Sequence, residues 1–214
     1  MRNRVYSDRV EAGRLLGAAV RERLAAGAPA IVLGLPRGGV PVAAEVARSL
    51  DAVLDVLVVR KVGVPEQPEL AMGAVGPGGV VVRNEALLKL IPHAARDFER
   101  VAQHERAEVD RRERAYRGGR PPLTLPGRTA ILVDDGIATG ATMRAGIAAT
   151  RLLGAARVVV ATPVAASEAC ALLEAEADEV VCLQVPPDFH AVGAWYEEFP
   201  QLDDDEVREL LGTA

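Results

Sequence analysis

Short apolar runs alternate with helical segments along most of this chain, and this alternation restricts the possible folds more than any other feature. Strands are predicted over 30–35, 53–59, 131–133, 157–161 and 179–183, and helical segments separate most of them. Strands that are apolar throughout are covered on both faces, which is typical of parallel sheets joined by right-handed helical crossovers. The sequence therefore predicts an α/β fold in which helices flank a parallel, twisted, Rossmann-like sheet.

The length of 214 residues fits a single domain. We expect its core over about 28–185, interrupted by a long charged helical insertion over about 92–118 and followed by a C-terminal segment over 186–214. Half of the residues are hydrophobic but only 3% are aromatic, so Val, Leu, Ile and Ala are expected to build the core.

Several residues mark the ends of the predicted helices. Asp8 and Glu11 predict a capping box for a first helix that ends near 27–29, and Asn84 predicts the cap of a short helix. Pro92 is expected to open the long charged helix. The acidic run 203–206 predicts the start of a last, short helix.

Composition and charge exclude several classes of function. The formal net charge is −5 with Lys and Arg scattered, so nucleic acid is not expected as the main partner. No window approaches the roughly 20 apolar residues of a membrane helix, and the first residues lack an apolar signal core, so a cytoplasmic protein without a membrane partner is expected. Cys170 and Cys182 stand far apart in apolar surroundings, which indicates reduced core residues. No metal-ligand spacing is found around His93, His104 and His190.

The segment ILVDDGIATGATMRAG, residues 131–146, carries the strongest chemical signal. A buried strand ends at Asp134 and Asp135, a loop with two glycines and two threonines follows over 136–142, and a helix is predicted from Met143. Free amides at a helix N-terminus and the helix dipole make such a loop an anion site. The carboxylates would repel phosphate and suit sugar hydroxyls. The segment therefore indicates a site for a phosphorylated sugar at the carboxyl edge of the sheet.

A simpler interpretation is that 134–136 is only a turn and that Thr139 or Thr142 is only a helix cap. Two other phosphate motifs are excluded. The segment lacks the Gly-Lys-Ser/Thr of the nucleotide P-loop, and Gly136 and Gly140 do not have the spacing of the dinucleotide fingerprint.

A second loop of similar character follows the predicted strand 30–35. Arg37 beside Gly38 and Gly39 offers backbone amides and a fixed positive charge, which suits a pyrophosphate. The alternative is a tight turn between strand and helix with Arg37 on the surface.

The sequence VDDGIATGAT resembles the phosphoribosyl pyrophosphate (PRPP) signature of the type I phosphoribosyltransferases. The resemblance implies that Asp134 and Asp135 hold the 2- and 3-hydroxyls of the ribose. It also implies that the 5-phosphate is wrapped by Gly136, Ile137, Ala138, Thr139, Gly140, Ala141 and Thr142.

The sequence LPRGG lies where this family has a short pyrophosphate loop, often with a strained peptide bond, after its first core strand. The resemblance thus assigns the pyrophosphate to Arg37, Gly38 and Gly39. A basic residue after the next strand can reach the pyrophosphate in the family, which implies Lys61, with Arg60 as the substitute. A solvated lysine at a strand end is the other interpretation of Lys61.

The family also has a flexible loop that closes over the substrates and excludes water. Residues 64–82 are rich in proline and glycine and predict a hairpin from a strand over 70–75 through 76–79, so we expect a small hairpin lid. The insertion 92–118 has many charge pairs, such as Glu108 with Arg112, and a thin apolar stripe formed by Phe98, Val101, Ala102 and Val109. Its outer face is predicted to be solvated, with a subunit contact or a cover over the site as alternatives.

The C-terminal segment 186–214, called the hood below, gathers most of the aromatic residues. In purine-using relatives an aromatic side chain after the last core strand stacks on the base, which implies Phe189 as a base-binding residue. The other interpretation, favoured for Trp195, Tyr196 and Phe199, is that aromatic side chains pin the hood to the domain.

The resemblance implies transfer of a phosphoribosyl group from PRPP to a nitrogenous base, purine-like but unidentified, with release of pyrophosphate, as in nucleotide salvage. Mg²⁺ is expected as a cofactor that accompanies PRPP near Asp134 and Asp135, without dedicated metal ligands. Hypoxanthine-guanine enzymes have an acid where this chain has Ala138, so a 6-oxopurine is not supported. The alternatives are a PRPP- or nucleotide-sensing regulator without turnover and a binding module for another sugar phosphate; a homodimer is compatible with each.

Overall fold

The computed structural model describes residues 4–24, 29–91 and 93–213. The predicted helix break at 27–29 and the predicted helix start at Pro92 fall partly or wholly outside these ranges. Within them the strands are β1 (Ala30–Gly34), β2 (Val53–Val56), β3 (Arg60–Val64), β4 (Gln67–Val75), β5 (Val81–Arg83), β6 (Thr129–Val133), β7 (Arg157–Val164) and β8 (Glu179–Gln184). The α-helices are α1 (Arg9–Arg23), α2 (Gly39–Leu50), α3 (Glu85–Leu90), α4 (Ala94–Arg117), α5 (Ala141–Leu152), α6 (Ser167–Glu174) and α7 (Asp204–Leu211).

Five strands form one parallel sheet in the order β2-β1-β6-β7-β8, which confirms the predicted α/β fold. β6 lies in the middle, and Ile131 and Leu132 belong to apolar clusters on its opposite faces. From β1 the chain continues to β2 on one side, whereas from β6 it continues to β7 on the other. The direction of winding therefore reverses between β1 and β6, and the crevice at their carboxyl ends is where open α/β sheets bind ligands.

The three remaining strands, β3, β4 and β5, form a separate antiparallel sheet. Its β4–β5 pair confirms the hairpin predicted within 64–82. The prediction of one strand over 53–59 is wrong, because β2 ends at Val56 and β3 begins at Arg60. The connection between them is buried, at Leu57, Val58 and Val59. Burial rather than strand pairing explains why the apolar run continues beyond β2.

Helix caps were predicted at both ends of the chain. Asp8 accepts a hydrogen bond from the amide of Glu11 at 2.7 Å, as expected. The Glu11 carboxylate, however, accepts from the amide of Ser7 at 2.7 Å and not from Asp8, so the first capping box is only half formed. At α7 the box is complete between Asp203 and Glu206.

The charged insertion is one long helix, α4, that packs against the small sheet and α7. Its buried stripe contains Phe98, Ala102 and Val109, as predicted, and extends to Tyr116. The predicted pair of Glu108 with Arg112 is also present, with 2.6 Å between the carboxylate and Nε. α4 is thus a structural partner of the small sheet along its whole length.

The two ends of the chain meet in an aromatic cluster of Tyr6, Trp195 and Tyr196. The hydroxyl of Tyr6 donates to the carbonyl oxygen of Pro163 at 3.0 Å, and Phe199 stacks on Tyr196 with ring centroids 5.0 Å apart. This arrangement confirms that aromatic side chains pin the hood to the domain.

Cys170 is buried and Cys182 half-buried, and both are free thiols. Among the described helices, none combines the length and the apolar character that a membrane crossing requires.

Candidate active site

The acid pair lies at the carboxyl end of β6, directly against the loop that follows β1. A Cβ atom on Gly38 would stand 2.1 Å from Oδ2 of Asp135, and one on Gly39 would stand 2.5 Å from the carbonyl oxygen of Val133. Any larger residue would push the loop away from the acids, so packing alone requires both glycines. The amide of Gly39 donates to the carbonyl oxygen of Leu35 at 3.0 Å and is therefore not available to an anion.

The two acids have different surroundings. Asp135 is buried, and its Oδ2 accepts a hydrogen bond from Nε of Arg9 at 2.8 Å. Its carbonyl oxygen accepts from the hydroxyl of Tyr196 at 2.6 Å. Asp134 is only half-buried, and its Oδ1 accepts from the amide of Asp135 at 2.9 Å. Asp134 is thus the acid that faces the crevice, while Asp135 is held from behind by both ends of the chain.

The surroundings of the acid pair disfavour the charged form of both carboxylates. Burial and then the charge of Asp135 raise the pKa of Asp134 well above its usual value. Burial also raises the pKa of Asp135, and the guanidinium of Arg9 opposes that increase. A cation or hydroxyl donors placed beside Asp134 would relieve this repulsion, which is the property that a ribose or magnesium site requires.

The loop 136–142 forms a concave row of donors in front of α5. The amides of Ala138, Thr139, Gly140 and Thr142 have no hydrogen-bond acceptor within the described ranges. They lie at the N-terminus of a 12-residue helix, where the helix dipole favours an anion.

Two contacts fix this loop in place. The amide of Ile137 donates to the carbonyl oxygen of Val164 at 2.9 Å, so the loop is tied to the end of β7. Gly140 precedes α5 with φ of 75°, a left-handed conformation that favours glycine. The predicted helix caps are not formed by threonine, since Thr139 only accepts a long bond from Ala141 at 3.4 Å.

The loop encloses a pocket of about 190 Å³ that Asp134 and Val192 also line. Val192 comes from the hood and lies so close to Gly136 that a Cβ there would be 2.4 Å from Cγ1 of Val192. Phe189, predicted to stack on a base, is half-buried and packs against the aromatic cluster that contains Trp195. Sequence reasoning missed Val192, because an aliphatic residue among aromatics carries no chemical signal.

The loop after β1 has a cis peptide bond between Pro36 and Arg37. The guanidinium of Arg37 is about half exposed and turns toward the hood, where Nη1 donates to the carbonyl oxygen of Leu202 at 2.6 Å and Nε lies 3.5 Å from Asp204. Arg37 is therefore not among the residues that line the neighbouring cavity.

That cavity, of about 500 Å³, lies beside β3 and extends from Pro36 to Thr142. It is lined by Lys61 and Arg60, the two residues that the resemblance assigns to the pyrophosphate, although both stand on β3 and not at the end of β2. α4 forms the opposite wall with Glu105 and other residues. The structure thus brings Lys61 close to the loop 136–142, and it adds a wall from the helix that the sequence offered only as an alternative cover over the site.

Comparisons with known proteins agree with this geometry. The model of the phosphoribosyl transferase domain matches residues 9–198. The crystal structure of TT1426 from Thermus thermophilus is similar, with a TM-score of 0.87, 47% identity and 97% coverage of each chain. Candidate phosphoribosyl transferases of Mycobacterium tuberculosis strains H37Rv and CDC 1551 are 48% identical over 213 residues, which is 99% of this chain and 47% of those proteins. The chain therefore spans about half the length of the curated relatives that it matches.

Because the family model covers most of the chain and both loop motifs stand at the sheet edge where ligands bind, the chain belongs to the phosphoribosyl transferase domain family.

Proposed function

We propose that this chain transfers the 5-phosphoribosyl group of PRPP to a nitrogen atom of a base and releases pyrophosphate. The observation that carries the proposal is the meeting of three features in one crevice. Asp134, the unengaged amides of the loop 136–142 and the cavity beside Lys61 follow one another along the carboxyl edge of β1 and β6. They offer, in order, acceptors for hydroxyls, donors for a phosphate and cations for a diphosphate.

In this proposal the loop amides and Thr142 hold the 5-phosphate, and Asp134 accepts hydrogen bonds from the ribose hydroxyls. Asp135 supports Asp134 from behind, because its own carboxylate is engaged by Arg9. Lys61 faces the diphosphate. The pyrophosphate role of Arg37 requires its guanidinium to leave the carbonyl oxygen of Leu202.

The reaction breaks the bond between C1 of the ribose and the diphosphate oxygen, and the electron pair leaves with the diphosphate. A bond from the base nitrogen to C1 replaces it, and the base loses a proton. Positive charge develops on the ring and negative charge on the leaving group. The side chains therefore act through placement and electrostatics, with Asp134 near the ring and Lys61 near the leaving group.

Mg²⁺ fits this site as a partner of PRPP. Asp134 brings a carboxylate to the crevice, and oxygen atoms of the substrate and water would complete an octahedral set. When bound, Mg²⁺ would neutralise charge on the departing diphosphate.

The base is proposed to lie against the hood, with Phe189 as the stacking residue and Val192 beside the phosphate loop. If Phe189 stacks on the base, Phe189→Ala weakens the use of the base far more than the binding of PRPP. Val192→Ala serves as the comparison, since Val192 contacts the loop and its loss would change PRPP binding first. Equal loss of both functions in Phe189→Ala would indicate a structural role for the ring.

The test of the proposed function is an assay of the purified chain with PRPP and Mg²⁺ against purine, pyrimidine and nicotinate-type bases. Pyrophosphate release and nucleotide formation are followed by chromatography. Turnover of one base is the expected result, and the reactive base identifies the acceptor. PRPP binding without turnover of any base would favour a sensing protein of the same fold.

A calorimetric titration tests the acid pair separately. Asp134→Asn is the sharper variant, because Asp134 has no cation partner in the described part of the chain whereas Asp135 is paired with Arg9. Loss of a carboxylate that accepts from the ribose should weaken PRPP binding by roughly tenfold or more. Unchanged affinity would contradict the assignment of Asp134.

A further inference from the structure

The cavity beside β3 has one wall that the two loop motifs do not explain. Pro36 and Thr142 connect the cavity to both loops of the proposed site. The opposite wall is α4, which contributes Val101, Glu105 and Arg112. The helical insertion therefore reaches the same space as the loops that carry the family motifs.

The charged side chains that line this cavity are mostly basic. Arg60, Lys61 and Arg112 bring three cations, and Glu105 brings one carboxylate. Glu105 already accepts a hydrogen bond from Nε of Arg60 at 2.6 Å. Cationic groups that converge on one partly enclosed space suit an anion.

Arg112 is anchored on one side and still offers donors on the other. Its Nε donates to Glu108 at 2.6 Å, and 22% of its side chain is exposed. Its two terminal nitrogens meet no hydrogen-bond acceptor among the residues that the structure describes.

The preceding residue, Arg111, provides a comparison. It donates from both Nε and Nη2 to the same Glu108, at 2.8 and 2.9 Å, and its side chain is 55% exposed. The hydrogen bonds from Arg111 and then Arg112 lower the pKa of Glu108 to about 2, so this carboxylate stays charged at neutral pH. The two arginines thus share an anchor, but only Arg112 lines the cavity.

We propose that Arg112 binds a diphosphate group in this cavity, which makes the helical insertion α4 part of the substrate site. The choice of ligand rests on the proposed function, in which a diphosphate leaves from PRPP next to Thr142. A guanidinium with two unengaged terminal nitrogens can contact two phosphate oxygens at once.

The experiment compares Arg112→Gln with Arg111→Gln in the full chain. Each variant removes one arginine from the same turn of α4 and leaves Glu108 with the other. Gln has a helix propensity close to that of Arg, so both variants should fold alike, which thermal unfolding checks. Arg112→Lys is a further variant that keeps the charge and loses the bidentate contact. Its loss of pyrophosphate affinity should lie between the losses in Arg111→Gln and Arg112→Gln.

Two probes are titrated by calorimetry in the presence of Mg²⁺: inorganic pyrophosphate for the cavity, and ribose 5-phosphate for the phosphate loop and the acid pair. Arg112→Gln should weaken pyrophosphate binding by roughly tenfold or more and leave ribose 5-phosphate binding unchanged. Arg111→Gln should leave both affinities within roughly twofold of the unaltered chain.

Equal pyrophosphate affinity in the two glutamine variants, or no pyrophosphate binding by the unaltered chain, would overturn the role of Arg112. Ribose 5-phosphate binding would then still support the proposed function. In contrast, the chain could bind pyrophosphate through Arg112 and bind neither ribose 5-phosphate nor PRPP. That result would uphold the role of Arg112 and contradict the proposed function.

Discussion

The ion pair between Arg9 and Asp135 supports a quantitative prediction about the acid pair. Arg9→Met keeps an unbranched side chain that reaches about as far as Nε, and it removes the charge. The pair is 2.8 Å apart with side chains only 9% and 13% exposed. Removal of one partner from a buried pair leaves an uncompensated charge and costs about 3–5 kcal/mol.

Two further contacts of Arg9 indicate that the cost of Arg9→Met lies in the upper part of this range. Its guanidinium lies 3.8 Å from the ring centroid of Phe199 and donates to the carbonyl oxygen of Pro200 at 2.8 Å. For a chain of this length, a loss of about 3–5 kcal/mol lowers the melting temperature by roughly 6–20 °C.

The effect of Arg9→Met should depend on pH in a defined direction. Arg9 opposes the rise in the pKa of Asp135 that burial causes, so its removal raises the folded-state pKa further above that of the unfolded chain. The folded variant then binds a proton more tightly than the unfolded variant. The stability deficit should therefore shrink as the pH falls through the raised folded-state pKa values toward about 4, and it should stay constant at lower pH, where the carboxyl of Asp135 is protonated in both states.

Thermal and urea unfolding at a series of pH values measure this prediction. Arg14→Met is the matched control, because Arg14 also lies on α1 and faces an acid, Glu45, but at 3.4 Å and with 71% of its side chain exposed. Its expected cost is about 0–0.5 kcal/mol. A cost of less than about 1 kcal/mol for Arg9→Met, or a deficit that grows in acid, would refute the argument.

Three further predictions concern other parts of the site. The raised pKa of Asp134 means that the fold loses stability as the pH rises from the ordinary carboxyl pKa toward the raised one, so Asp134→Asn should flatten the dependence of the melting temperature on pH above about pH 4; an unchanged slope would contradict the raised pKa of Asp134. Gly136→Ala should cost about 1–3 kcal/mol by forcing Val192 away, and Val192→Ala in the same chain should restore part of the loss in thermal unfolding. Asp203→Ala removes the complete capping box of α7 and should lower stability by about 1 kcal/mol; no measurable change would show that α7 is held by packing alone.

The parallel sheet and the loop between β6 and α5 could be predicted because their signals are local. An apolar run, two acids, a glycine loop and a helical pattern occupy consecutive positions, and the fold keeps them in that order around β6. The end of β2 could not be predicted in this way. Leu57 and Val58 continue the apolar pattern because they are buried, and a periodic pattern does not distinguish burial from strand pairing.

The surroundings of the acids could not be predicted, because they depend on contacts between distant parts of the chain. Arg9 and Asp135 are 126 positions apart, and Tyr196 reaches the same acid from the hood. Which residues of α4 line the cavity could not be predicted for a related reason. Arg111 and Arg112 are adjacent and alike in sequence, and only the packing of the helix against the small sheet decides which one lines the cavity.

Two adjacent buried carboxylates are unfavourable, and the fold compensates for them with groups from both chain ends. Arg9 offsets the charge of Asp135, and Tyr196 donates to its backbone, so the inner acid is fixed before any ligand arrives. The outer acid, Asp134, has no hydrogen-bonded cation within the described ranges, and it lines the crevice, where a group from outside could relieve its repulsion from Asp135. The helix α1 and the hood therefore fix one carboxylate, and the other is left open to the crevice.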